Sequence, residues 1–227
     1  MTIQTRCTWT DSNNDYAQYL LETLQGHELN AFFQPFLYGD AQNVIGEKRG
    51  TEFPNEIIVV GAHMDSTSEQ PFILAPGCID NGTGVAAILQ LAKIFRHCET
   101  KRTIHFILFG AEEQGMIGSN YYVDNSKNLN DEKIVYSIIL DTIGHAKNYF
   151  GVKLEYSSKG DPNFARLMHQ NVTEHGNGMT VEHSTNYFGS DHVPFIKANI
   201  PAILVIAQGL FVFCFCFCFC FCFCLLP

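Results

Sequence analysis

The sequence predicts an α/β fold: a doubly wound, mixed but mostly parallel twisted sheet with helices on both faces. Three observations carry that prediction. Four apolar runs of strand length, IIVVGA at 57–62, TIHFILF at 103–109, IVYSIIL at 134–140 and PAILVIA at 201–207, are continuous rather than alternating. That is the pattern of strands buried on both faces. Stretches with helical periodicity lie between these runs, and strands alternating with helices build parallel crossover units. Finally, polar residues collect just after three of the runs, where open α/β sheets keep their sites.

In chain order, residues 11–29 place Tyr16, Leu20 and Leu24 on one helical face, with Asp11 or Ser12 as cap. Strands are expected at 31–38 and 43–48, and RGTEFPNE at 49–56 reads as an exposed loop. After the buried strand 57–62 a long loop runs to Cys78. From Asn81, the set Val85, Ile88, Leu89, Ala92 and Phe95 defines a helix packed on one face. A short helix is expected at 115–124 and a strand at 150–156. A helix beginning at Asp161-Pro162 should turn Phe164, Leu167 and Met168 inward. A strand at 179–182 and a short helix at 192–198 precede the last buried strand.

Residues 1–209 read as one domain. The formal net charge is −9, from 14 Lys+Arg against 23 Asp+Glu, with no basic cluster, which argues against nucleic acid and anionic membranes as partners. The N-terminus MTIQTRCTWT has no apolar core, so no secretory address is expected and the compartment stays unassigned. Of the nine cysteines, only Cys7, Cys78 and Cys98 belong to the domain, at spacings that form neither a zinc knuckle nor a CxxC pair. Residues 210–227 form a Phe/Cys low-complexity tail. Its 17 apolar residues, 210–226, sit at the short limit of a membrane span, and as a strand they would be an aggregation hazard. A frameshifted or intronic origin is the preferred reading of this repeat, and a membrane partner is not expected.

The chemistry-bearing residues are His63, Asp65, Asp80, Glu112, Glu113, Asp141 and His192. Singly they mean little: an HxD or a Glu-Glu pair is common at a strand end, and Asp80 alone would make a good helix cap. Jointly they are the donor set of a two-metal hydrolase, since zinc favours imidazole and carboxylate, and a co-catalytic pair needs a carboxylate shared between the ions. Two Zn2+ ions bring a charge of +4, and Asp80, Glu113 and Asp141 supply −3. Glu112 is then left as general base, and Asp65 can hydrogen-bond the far nitrogen of His63. The other histidines, His27, His97, His105, His145, His169, His175 and His183, read as structural or surface residues. Asn81-Gly82-Thr83 and Asn171-Val172-Thr173 match the glycosylation sequon, and Asn171 is the better acceptor of the two.

The stretches GAHMDS, GCIDNGTGVAAILQLA, FGAEEQGMIGS, IILDTIG and FGSDHVPF resemble, in order, the motifs of the dizinc aminopeptidases of metallopeptidase family 28, clan MH. The resemblance spans about residues 43–207 and implies a zinc-exopeptidase-like fold. It implies that Asp80 bridges the ions, with Glu113 and His192 on one zinc and His63 and Asp141 on the other. Glu112 would be the base and Asp65 a supporting partner. It further implies a peptide substrate with a free N-terminus, hydrolysed by an aminopeptidase, from a family commonly secreted or lysosomal. Glutaminyl-peptide cyclases, which resemble this scaffold with one zinc, are the alternative, and an inactive or non-folding fragment is the second. Family members continue past the last strand with a polar loop and a helix, where this chain has the Phe/Cys repeat. One sheet face is therefore expected to lack its cover.

Overall fold

The apolar runs become neighbouring strands of one eight-stranded sheet. The computed structural model describes residues 3–126, 132–144, 151–157, 162–186 and 189–207, so the Phe/Cys tail, and His145, lie outside the described residues. The strands are β1 (Asn30–Phe36), β2 (Ala41–Lys48), β3 (Phe53–His63), β4 (Arg102–Phe109), β5 (Lys133–Leu140), β6 (Gly151–Tyr156), β7 (Thr180–Ser184) and β8 (Ala202–Ala207). The helices are α1 (Asp11–Gly26), α2 (Gly82–Phe95), α3 (Ile117–Ser126), α4 (Pro162–His175) and α5 (His192–Lys197). The sheet order is β1-β2-β4-β3-β5-β8-β6-β7. The pairs β3–β4, β3–β5, β5–β8 and β6–β7 are parallel; β1–β2, β2–β4 and β6–β8 are antiparallel.

Consecutive residues of the central strands feed two separate cores, which is why their runs are continuously apolar. Ile58, Val60, Ala62, Ile104, Phe106, Leu108, Ile138, Leu140, Ile203 and Val205 pack with α1, α2 and α4 on one face. Ile57, Val59, Ile107, Phe109, Ile139, Ala202 and Leu204 pack with Tyr122 and Val123 of α3 and Phe195 of α5 on the other. The rings of Phe109 and Phe195 meet edge to face at 6.3 Å, and truncating such a buried Phe costs about 3–5 kcal/mol. The crossover β3–α2–β4 thus lies on one face and β4–α3–β5 on the other. The strand order reverses at β3, and the C-terminal end of β3 is a topological switch point.

Several local expectations are corrected. The cap of α1 is Thr10, one residue before the expected Asp11 or Ser12: its Oγ1 accepts the Asn13 N–H at 3.2 Å. The loop expected at 49–56 is strand from Phe53 onward, an exposed lead-in that pairs with β4 through a register shift between Phe53 and Ile57. Within α4, Phe164 and Met168 are buried as expected, whereas Leu167 is half-buried and Ala165 and Val172 fill the face instead.

Candidate metal centre

Three parallel strands deliver polar residues to the switch point. β3 ends on His63, β4 is followed by Glu112 and Glu113, and β5 is followed by Asp141. Asp80 closes the loop between β3 and α2, and His192 opens α5. The His63 ring is buried, with Nε2 3.1 Å from Asp80 Oδ1 and 3.5 Å from Asp141 Oδ1. Donor atoms of His63, Asp80 and Glu113 all lie within 4.8 Å of one another. Asp141 is held from its other side, where Ser190 Oγ donates to Oδ2 at 2.8 Å. His192 is buried beside Ser190 and lies outside the three-residue cluster.

Asp65 supports this arrangement in a way that differs from expectation. The close partner of His63 Nδ1 is the Asp65 main-chain carbonyl at 3.2 Å, whereas the carboxylate stands 3.7 Å away. The carboxylate accepts instead from the N–H groups of Glu112 (3.1 Å) and Glu113 (3.2 Å) and from Thr8 Oγ1 (3.3 Å). One buried carboxylate therefore fixes the turn after β4 against the end of β3. That turn places Ala111 and Met116 at positive φ. Asn81 does the same for the other side. Its Oδ1 accepts from Gly84 N, capping α2, and from Thr142 N, while its Nδ2 donates to Leu140 O. The cap is Asn81 and not Asp80, which leaves the Asp80 carboxylate at the cluster.

The electrostatics are those of carboxylates crowded out of water. Burial, then the charge of Asp191, pushes Glu112 up to about 8; burial, then the charge of Asp80, pushes Glu113 up to about 7. Burial disfavours a charged His63, yet hydrogen bonds to Asp141 and Asp80 hold its pKa well above the usual value. Burial pushes His192 down to about 4, which keeps it in the neutral form that binds metal. Glutamates whose charge burial raises in energy, Glu112 and Glu113, and the His192 imidazole kept neutral fit a divalent cation.

Comparison with known proteins agrees with this chemistry. The model of "Peptidase family M28" matches residues 43–211. The chain belongs to peptidase family M28. Aminopeptidase YwaD of Bacillus subtilis is 30% identical over 177 residues, covering 78% of this chain and 38% of that protein. A probable zinc metalloprotease of Pyrenophora tritici-repentis is 34% identical over 142 residues, covering 60% and 31%. The chain thus spans about a third of these M28 relatives' length. Among solved structures, LapA aminopeptidase of Legionella pneumophila superposes with a TM-score of 0.77 at 21% identity, over 92% of this chain and 58% of that one, which shows the shared fold. A zinc aminopeptidase from Bacillus subtilis gives 0.62 at 28% identity, over 73% and 40%. M28 is a zinc peptidase family by the names of these members.

Two features of this M28 site, and one residue away from it, escaped the sequence. Ser190 and Asp191 stood in the SDH motif without a role; Ser190 ties Asp141, and fully buried Asp191 accepts from Ser119 Oγ at 2.6 Å. Thr8 and Arg6 were given no role in the N-terminal stretch, yet both are buried against the site loops. Asn171 fails as a glycosylation acceptor, because it is 2% exposed and its Nδ2 donates to Leu167 O within α4. Of the other histidines, His105 is a core residue between Tyr122 OH (2.8 Å) and Glu47 (3.4 Å). No helix among the described residues is long and apolar enough to cross a membrane.

Proposed function

We propose that this chain hydrolyses the N-terminal peptide bond of peptides with a free α-amino group, using two zinc ions held by His63, Asp80, Glu113, Asp141 and His192. The observation that carries the reading is the meeting of His63 Nε2 with the Asp80 and Asp141 carboxylates, with Glu113 in the same cluster. Asp80, whose carboxylate lies within 4.8 Å of donor atoms of both His63 and Glu113, would be the one shared between the ions. Glu113 and His192 would hold one ion with it, and His63 and Asp141 the other. Bound zinc would polarise the scissile carbonyl and make water acidic enough to react near neutral pH.

The protein's own part is to orient groups and to move one proton. Asp65 holds the Glu112 and Glu113 N–H groups, so the main chain that carries the two carboxyls is fixed relative to the end of β3. Glu113 turns to the cluster, and Glu112 takes the proton of the attacking water and returns it to the departing amine. Relatives named aminopeptidase and zinc metalloprotease support this reading. The test is a peptide with a free apolar N-terminal residue beside its N-acetylated twin, followed by mass spectrometry with and without chelator. Stepwise loss from the free peptide alone, abolished by chelation and restored by Zn2+, is the expected result. Cyclisation of N-terminal Gln without hydrolysis would assign the chain to cyclase chemistry instead.

A further inference from the structure

The loop that carries Asp80 leaves β3 at Met64, swings through solvent and returns to α2. Its tip is exposed and apolar, with Phe72, Ile73 and Leu74 each more than half exposed. Near its base both legs cross the same side chain. Arg6 is 5% exposed; its Nε donates to Met64 O on the outgoing leg at 2.9 Å. On the returning leg Nη1 donates to Pro76 O and Nη2 to Gly77 O, the latter at 2.9 Å. The Arg6 backbone exchanges bonds with Ser66 and receives Asn13 Nδ2 from α1, and the guanidinium lies 5.3 Å from the Tyr16 ring centre. Gly77 O accepts from Gly82 N as well, so the guanidinium is one bond removed from the first turn of α2, with Asp80 between the two. The packing there admits no side chain: Gly77 sits at φ +53°, and a Cβ would stand 2.4 Å from Asp80 O and 2.8 Å from Arg6 Nη2.

We infer that Arg6 is a positioning residue for the metal site, clamping the two legs of the 64–80 loop so that Asp80 is presented to His63. The inference rests on the proposal that Asp80 holds metal. A planar fork with fixed donor directions can span three carbonyls on two chain segments; an ammonium on a flexible stem cannot. Buried carbonyls that lose their donor also carry a desolvation cost, which drives the loop to open toward water.

The experiment uses the full chain with Arg6→Lys and Arg6→Ala. In metal-free protein, amide hydrogen exchange of residues 64–80 should quicken by about tenfold or more in both variants, with β3 and β4 unchanged. Zinc affinity, by competition with a chromogenic chelator, should fall by about 10–100-fold, the scale on which supporting residues act on metal sites. Added guanidinium should restore both properties in Arg6→Ala and have no such effect on Arg6→Lys, whose stem fills the site. If Arg6→Ala does not fold, Arg6→Lys decides: loop exchange and zinc affinity within about twofold of the wild type overturn the clamp. A wild-type chain that binds no zinc would instead overturn the functional proposal, and the metal-free exchange would still decide the role of Arg6.

Discussion

Glu112 and Glu113 are chain neighbours held by the same Asp65 carboxylate, and yet only Glu113 falls in the cluster with His63 and Asp80. That difference separates their chemistry. Glu112→Gln should keep zinc and substrate binding while kcat falls by about 10²-fold or more, the scale for losing a positioned general base. Glu113→Gln should instead weaken zinc binding, seen as lower metal content after dialysis. Like behaviour of the two variants would remove the division of labour. A second residue-scale prediction lies away from the site. His105, whose Nε2 lies 3.4 Å from the carboxylate, outweighs burial and holds the Glu47 carboxyl below its ordinary 4.5. A depressed carboxyl stabilises the fold above its unfolded pKa, and that stability is lost as pH falls through the folded value. The melting temperature of Glu47→Gln should therefore lie below that of the wild type at pH 6, and the gap should close as pH is lowered past 4.5. A gap that widened on acidification would contradict the assignment.

At the scale of elements, Asn81 joins the start of α2 to the end of β5 through three hydrogen bonds. Removing them at once loses a helix cap, at about 1 kcal/mol, and leaves the Leu140 carbonyl and the Thr142 N–H without Asn81, at about 1–3 kcal/mol more. Asn81→Ala should lower stability by about 2–4 kcal/mol in denaturant titration and weaken zinc binding in step, because Asp80 and Asp141 flank the bonds that are lost. A variant as stable as the wild type would contradict this account of Asn81. The elements themselves were legible wherever burial was two-sided. The run IIVV could be read as a strand because Ile57 and Val59 serve one core and Ile58 and Val60 the other. Where only one side is buried, the signal weakened. Residues 53–56 alternate exposed and half-buried, and Pro54 and two glutamates around them mimic a loop. Asn171 was misread because a sequon is a local pattern. It falls with Phe164, Met168 and Val172 on the inward stripe of α4, so helix phase overrides the motif.

For the whole molecule, the candidate donors His63, Glu113 and Asp141 were readable because each ends or follows an apolar strand, and parallel strands must bring their C-terminal ends to one edge. Asp80 and His192 stand at helix starts and were readable only from their motifs. The supports were not readable, because Arg6, Thr8 and Ser190 act through contacts 49 or more positions away in the chain, which no local spacing reveals. Together, donors and supports make a centre whose acidic groups are costly without a cation. Zinc should therefore stabilise the native chain by mass action, by about 2.7 kcal/mol at a free concentration 100 times Kd. The most direct measurement is metal content: the number of zinc ions per chain in purified protein, by elemental analysis after removal of loosely bound metal, for the wild type and Asp80→Ala. Two ions per wild-type chain, and loss of most of both in the variant, is the result expected of a shared carboxylate. One ion per chain, or a variant that keeps both, would contradict the two-zinc centre.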